Sequence, residues 1–155
     1  MIRSILSVTA AAVLMVGAVA ITPAVAQTPA SAAADLGTVN VHLRGLTANK
    51  GSVIVLLFDG ETAYDASKSA QSTKLDATGA AMDVSFSNVS PGRYAIKVFY
   101  DFNGNGQYDQ GTDSIGFSNH VDMSETSHVP TYSETSFMVK AGVNTQQITV
   151  SRVRS

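Results

Sequence analysis

Apolar and polar residues alternate at period two in four stretches of this chain, while Glu61–Ala70 has fair helical propensity and a weak apolar face, as in a short helix or an ordered loop over the sheet. Thr38–Leu46 sends Val39, Val41 and Leu43 one way and Asn40, His42 and Arg44 the other, which predicts a half-buried strand. After an Asn49-Lys50-Gly51 turn come six consecutive apolar residues, Val53–Phe58, as expected of a central strand covered on both faces. Ser72–Ala77 predicts a short polar strand, and Ala81–Val89 alternates again with Met82, Val84 and Phe86 inward. Ser90-Pro91-Gly92 is a reverse turn, because Pro presets φ and Gly tolerates the positive φ that follows. Arg93–Tyr100 then returns as a strand, forming a hairpin with Ala81–Val89, with Tyr94, Ile96 and Val98 on one face and Ala95, Lys97 and Phe99 on the other. Ser114–Asn119 is expected to be extended, Val121–Glu134 a long loop and Thr135–Val139 a strand. A turn over Lys140–Asn144 leads to a last strand, Thr145–Val153. About seven short strands with Gly, Pro and Asn turns predict an all-β fold, an antiparallel β-sandwich of immunoglobulin-like or prealbumin-like type.

The alternation starts late, and the first 26 residues explain why. Arg3 supplies a positive start, Ile5–Ile21 is apolar and alanine-rich, and Ala24-Val25-Ala26 is a small-x-small cleavage signal. Residues 1–26 are therefore expected to be a signal peptide cleaved after Ala26, giving a periplasmic or secreted bacterial protein. Residues 27–37, small and polar, read as a flexible leader, and 38–153 as one sandwich domain. Nothing after residue 26 resembles a membrane span. The remaining chain carries nine Lys and Arg against twelve Asp and Glu, a balance that argues against nucleic acid or anionic membrane as partner. There is no cysteine, which excludes disulfides, thiolate metal sites, cysteine nucleophiles and a lipid-bearing N-terminal Cys.

Chemistry concentrates in Asp101–Asp113, D-F-N-G-N-G-Q-Y-D-Q-G-T-D. In a helix-loop-helix calcium site the ligands come from positions 1, 3, 5, 7, 9 and 12, with glycine at 6. Laid on Asp101, this frame selects Asp101, Asn103, Asn105, Gln107 through its carbonyl, and Asp109, with Gly106 at the sharp turn. Position 12 is Thr112, and Asp113 follows as a further candidate. All are hard oxygen donors, suited to Ca²⁺ and unsuited to a soft metal. With three carboxylates and no flanking helix pair, such a site is expected to be weak, on the order of 10⁻⁴ M or worse. The competing reading is turn chemistry alone, since Asn-Gly-Asn-Gly serves any tight connection. Asp59 and Glu61, which close the second strand, add charge to this site if strand polarity brings them near it.

The run P-G-x-Y-A-I-x-V-x-x-D-x-N-x-N-G-x-x-D from Pro91 to Asp109, followed by G-F-S-N at Gly116–Asn119, resembles a family of small exported bacterial proteins, domain-of-unknown-function family 2141. The earlier Leu43–Asp59 stretch fits as well, so the resemblance spans roughly Val39–Val153. It implies a transthyretin-like or carboxypeptidase-regulatory-like sandwich and carries no assigned activity. The chain departs from the family pattern after Asp109, where the segment before G-F-S-N is shorter than usual and lacks proline.

Other constellations are thinner. Ser118 and His120 invite a nucleophile-and-base reading, but no strained strand-to-helix elbow or orienting third group is predicted around them. His42, His120 and His128 are scattered without zinc spacing. Tyr64, Tyr100, Tyr108 and Tyr132 offer aromatic faces on which a sugar ring can stack. The function expected from sequence is thus a non-catalytic binding or structural module of the cell envelope with a weak Ca²⁺-type loop, its partner an envelope protein or glycan. The alternatives are a carbohydrate-binding module built on Tyr100, Tyr108 or Tyr132, and, less favoured, a hydrolase using Ser118 and His120.

Overall fold

The structure, a computed structural model, describes residues 35–123, 125 and 128–153. The expected signal peptide, and the leader up to residue 34, lie outside the described residues. In chain order the elements are β1 (Gly37–Arg44), β2 (Ser52–Phe58), α1 (Glu61–Asp65), β3 (Gln71–Asp76), β4 (Ala81–Val89), β5 (Gly92–Asp101), β6 (Ser114–Phe117), α2 (Tyr132–Thr135), β7 (Phe137–Val139) and β8 (Gly142–Thr149). They form a three-stranded sheet of order β4-β1-β8 and a five-stranded sheet of order β3-β2-β5-β6, with β7 pairing β5. This is the expected all-β sandwich.

The core follows from the alternation. Val39, Val41 and Leu43 of β1 meet Val53, Val55 and Leu57 of β2 and Ile96, Val98 and Tyr100 of β5 in one buried cluster between the sheets. Each such aliphatic side chain contributes about 1.5–3 kcal/mol through removal from water. The six-residue apolar run of β2 is explained by a second cluster on the opposite face of the larger sheet. There Phe58, Ala95 and Phe117 pack with Tyr64 of α1 and with Met123. Lys97 closes this layer: its Nζ donates to the Tyr64 carbonyl at 2.8 Å and lies 3.5 Å from the Tyr64 ring centroid. Burial pushes the Lys97 ammonium below its ordinary range, opposed by the charge of Asp65.

The hairpin expected of β4 and β5 does not form: β4 pairs β1 in one sheet and β5 pairs β2 in the other, so the chain crosses between sheets at Ser90-Pro91-Gly92. Three further sequence expectations need correction. First, β8 runs parallel to β1 over its whole length, from Gly37↔Gly142 to Arg44↔Thr149. Its first residue docks where β1 begins, through Gly142 N–H to the Leu36 carbonyl, so both strands leave that end in the same direction. Second, β8 therefore starts at Gly142, inside the segment expected to be a turn. Third, the expected loop 121–134 contains the start of α2, which the capping box Thr131-Tyr132-Ser133-Glu134 begins.

In that box Glu134 accepts from the Thr131 N–H at 2.7 Å and from its hydroxyl at 2.8 Å. The backbone bond first, then the hydroxyl and His128, lower the Glu134 carboxyl to about 2. A depressed carboxylate contributes stability that is present above the ordinary Glu range and is lost as pH falls through about 2. Thr131→Val removes the hydroxyl bond and keeps the backbone one, so the Glu134 titration, followed by carboxyl NMR shifts, should move only part of the way towards the ordinary range. An unchanged titration would refute the share assigned to the hydroxyl.

Candidate functional site

The candidate loop leaves the end of β5 and returns at β6, and it is anchored by two aspartates with no exposed surface, Asp101 and Asp113. Asp101 Oδ1 accepts from the N–H groups of Gly104 at 2.7 Å and Asn105 at 3.2 Å, and Oδ2 from Gly106 at 2.8 Å. The chain can wrap one carboxylate this tightly because Gly104 and Gly106 take φ of 75° and 78°, a left-handed conformation that glycine adopts without strain. Asn103 and Asn105 each accept, through Oδ1, the N–H two residues on, from Asn105 at 3.1 Å and Gln107 at 2.8 Å. Their Nδ2 groups converge on one oxygen, Asp109 Oδ2, at 2.7 and 2.6 Å. Asp113 braces the far side: Oδ1 accepts from Phe102 N–H at 2.9 Å and Oδ2 from Asp109 N–H at 2.7 Å.

The structure thus brings all six sequence candidates into one hydrogen-bonded network, Gln107 through its backbone N–H to Asn105 and Asp113 through the N–H of Asp109. Asp113 is engaged with two backbone amides at the base of the loop, and the Gln107 side chain is exposed. Among the described residues no group of three or more His, Cys, Asp or Glu side chains has the spacing of a metal site. A cation here would therefore rely on amide and carbonyl oxygens as much as on carboxylates. Ser52, buried and without a hydrogen-bond partner for its Oγ, is the β2 residue opposite Asp101, a neighbour that sequence spacing did not suggest.

Asp59 and Glu61 do not join this site. β2 is antiparallel to β5, with Ser52 opposite Asp101 and Phe58 opposite Ala95, so the end of β2 lies at the far end of β5. There Asp59 acts on Tyr94 and Tyr132, helping burial to raise both phenols.

The tyrosines do not share a face either. Tyr100 is 2% exposed in the inter-sheet core, where its hydroxyl accepts from Thr47 N–H at 3.1 Å and donates to the Lys50 carbonyl at 2.8 Å. Tyr108 sits edge-on to Phe99, which lies on the opposite face of β5 from Tyr100. Tyr132 donates to the Arg93 carbonyl at 2.6 Å, at the other end of that strand. A coplanar Tyr100–Tyr108–Tyr132 platform is absent, because alternation sends residues 99 and 100 to opposite faces.

Ser118 is fully buried; its hydroxyl accepts from Ile96 N–H at 2.8 Å and donates to the Thr135 carbonyl at 2.6 Å. It joins β5 to α2, while His120 is exposed with φ of 59° and lines a shallow cavity of about 170 Å³ with Arg44, Phe117, Val121, Asp122, Gln147 and Thr149. In the G-F-S-N run, Asn119 ties the same region together, donating from Nδ2 to the Glu134 carbonyl at 2.9 Å and from N–H to Gln146 Oε1 at 3.2 Å. His42, on the outward face of β1, contacts the Asp83 carboxylate across the strand pair, and His128 contacts Glu134.

No curated protein and no solved structure matches this chain. The model of one family, described as an uncharacterized protein conserved in bacteria (DUF2141), matches residues 41–147. That match reaches from within β1 to within β8 and takes in the entire Asp101–Asp113 loop, so the chain belongs to this family.

Proposed function

We propose that this protein is an exported, non-catalytic binding or structural module of the bacterial cell envelope, with a weakly held Ca²⁺ in the Asp101–Asp113 loop. The observation that carries the cation reading is the convergence of Asn103 and Asn105 on Asp109 Oδ2, within a loop already wound around Asp101. Oxygens of Asp101, Asn103, Asn105 and Asp109 then offer a hard, partly neutral donor set, to which the Gln107 carbonyl adds. Such a set favours Ca²⁺, which accepts irregular geometry, over Mg²⁺, which demands an octahedron. Asp113 serves as the brace beneath it. Support for export is the charged, apolar and small-residue order of residues 1–26. The bound ion orders the loop at the end of β5 and presents it, with Tyr108, to an envelope protein or glycan.

Thermal unfolding in EDTA and then in about 10 mM CaCl₂ tests the cation. A dissociation constant on the order of 10⁻⁴ M predicts stabilisation of about 2–3 kcal/mol, and a correspondingly higher midpoint. Asp109→Asn, which keeps the loop's shape and removes one charge, should lose most of this gain. An identical midpoint in EDTA and calcium would reduce the loop to turn chemistry.

A further inference from the structure

The loop contains the chain's two Asn-Gly steps, Asn103-Gly104 and Asn105-Gly106, and all four residues are exposed. Glycine after asparagine leaves the backbone nitrogen open to attack the asparagine side chain, because no Cβ shields it. Here, however, both nucleophilic nitrogens are occupied. Gly104 N–H donates to Asp101 Oδ1 at 2.7 Å and Gly106 N–H to Asp101 Oδ2 at 2.8 Å. Both target amides are also held, their Nδ2 groups donating to Asp109 Oδ2 at 2.7 and 2.6 Å. One buried carboxylate thus holds the nitrogens of both steps, and one half-buried carboxylate holds both amides.

We propose that these two steps form a latent self-modification site gated by Asp101. When the Asp101 bonds open, each asparagine closes on the following glycine and becomes aspartate or isoaspartate. The glycine nitrogen attacks Asn Cγ, so an N–Cγ bond forms while the Cγ–Nδ2 bond breaks. The amide proton leaves with the departing nitrogen as ammonia. Water then opens the five-membered imide at either carbonyl, giving aspartate, or isoaspartate with one more methylene in the backbone. Each event places a new negative charge beside Asp101 and Asp109. The chemistry needs only water, and it stands apart from the calcium reading.

The test follows deamidation of the full chain at mildly alkaline pH in EDTA, by peptide mapping. Asn40, Asn88 and Asn144, none followed by glycine, serve as internal references. In the folded wild type, conversion at Asn103 and Asn105 should be roughly tenfold or more slower than in concentrated urea, the protection expected from charge-assisted hydrogen bonds. Asp101→Asn, still folded by circular dichroism, should recover most of the urea rate at one step at least, since its single side-chain oxygen can still hold only one of the two glycine nitrogens. If that variant does not fold, wild type in sub-denaturing urea decides: a local gate lets conversion rise before the sandwich unfolds. Equal rates in folded and urea-unfolded wild type would overturn the gate. So would a folded Asp101→Asn as slow as wild type, or conversion that rises only with global unfolding. Because EDTA is present throughout, these outcomes do not depend on whether the loop takes calcium.

Discussion

Gly51→Ala is expected to destabilise the protein by about 3 kcal/mol or more, a large effect for one methyl group. Gly51 has φ of 72°, a conformation that L side chains rarely adopt. A Cβ there would also lie 2.2 Å from the Asp101 carbonyl oxygen and 2.8 Å from Phe102 Cα. Both obstacles are backbone, so no rotamer change relieves them. The only escape is to part the start of β2 from the end of β5, where Ser52 faces Asp101 and the candidate loop begins. Gly51 also accepts from Ala77 N–H at 3.1 Å, which ties the same corner to the end of β3. Urea unfolding measures the loss. Gly60→Ala is the control, since its φ of 177° is extended backbone and its added Cβ meets nothing within 4 Å. It should change stability by about 1 kcal/mol or less. Equal midpoints for the two variants would show that the β2–β5 corner yields easily and that the close approach carries no energy.

Asp113→Asn should cost about 2–4 kcal/mol although it changes almost no volume. The Asp113 side chain has no exposed surface, and each carboxylate oxygen accepts one backbone N–H, from Phe102 and from Asp109. An asparagine has one acceptor oxygen, so its NH₂ would face one of those N–H donors in a site closed to water. A charge-assisted bond is lost and an unpaired donor is left buried. Amide hydrogen exchange distinguishes this from a general loss of packing. Phe102 and Asp109 should lose protection first, before the strands of the core. A variant with wild-type stability and wild-type protection at both amides would refute the brace.

Both predictions rest on contacts whose residues are visible in the sequence but whose meeting is not. Alternation at period two located β1, β4 and β5 and their inward residues, because a strand's two faces are set locally by the pleat. The Ser90-Pro91-Gly92 signal misled: Gly92 opens β5 without positive φ, and the chain crosses there from the sheet of β4 and β1 to that of β5 and β2, so the expected hairpin is absent. Glycine and asparagine at 103–106 marked a tight loop, because left-handed φ is a property of single residues.

Short-range periodicity and turn chemistry therefore set the strand content, the faces and the loop. Tertiary structure alone decided which strand lies beside which. It made β8 parallel to β1, since an alternating edge strand has the same pattern in either direction. It set Asp59 at the far end of β5 from the loop, because antiparallel pairing brings the start of β2, not its end, to Asp101. It divided the tyrosines between the core and separate ends of the sandwich, and it turned Ser118 from a candidate nucleophile into a buried bridge between β5 and α2. These outcomes depend on partners well away along the chain, as Ile96 and Thr135 are from Ser118. Short-range pattern carries no information about such pairings, because the pleat assigns a residue its face while only the packed sheets assign it a neighbour.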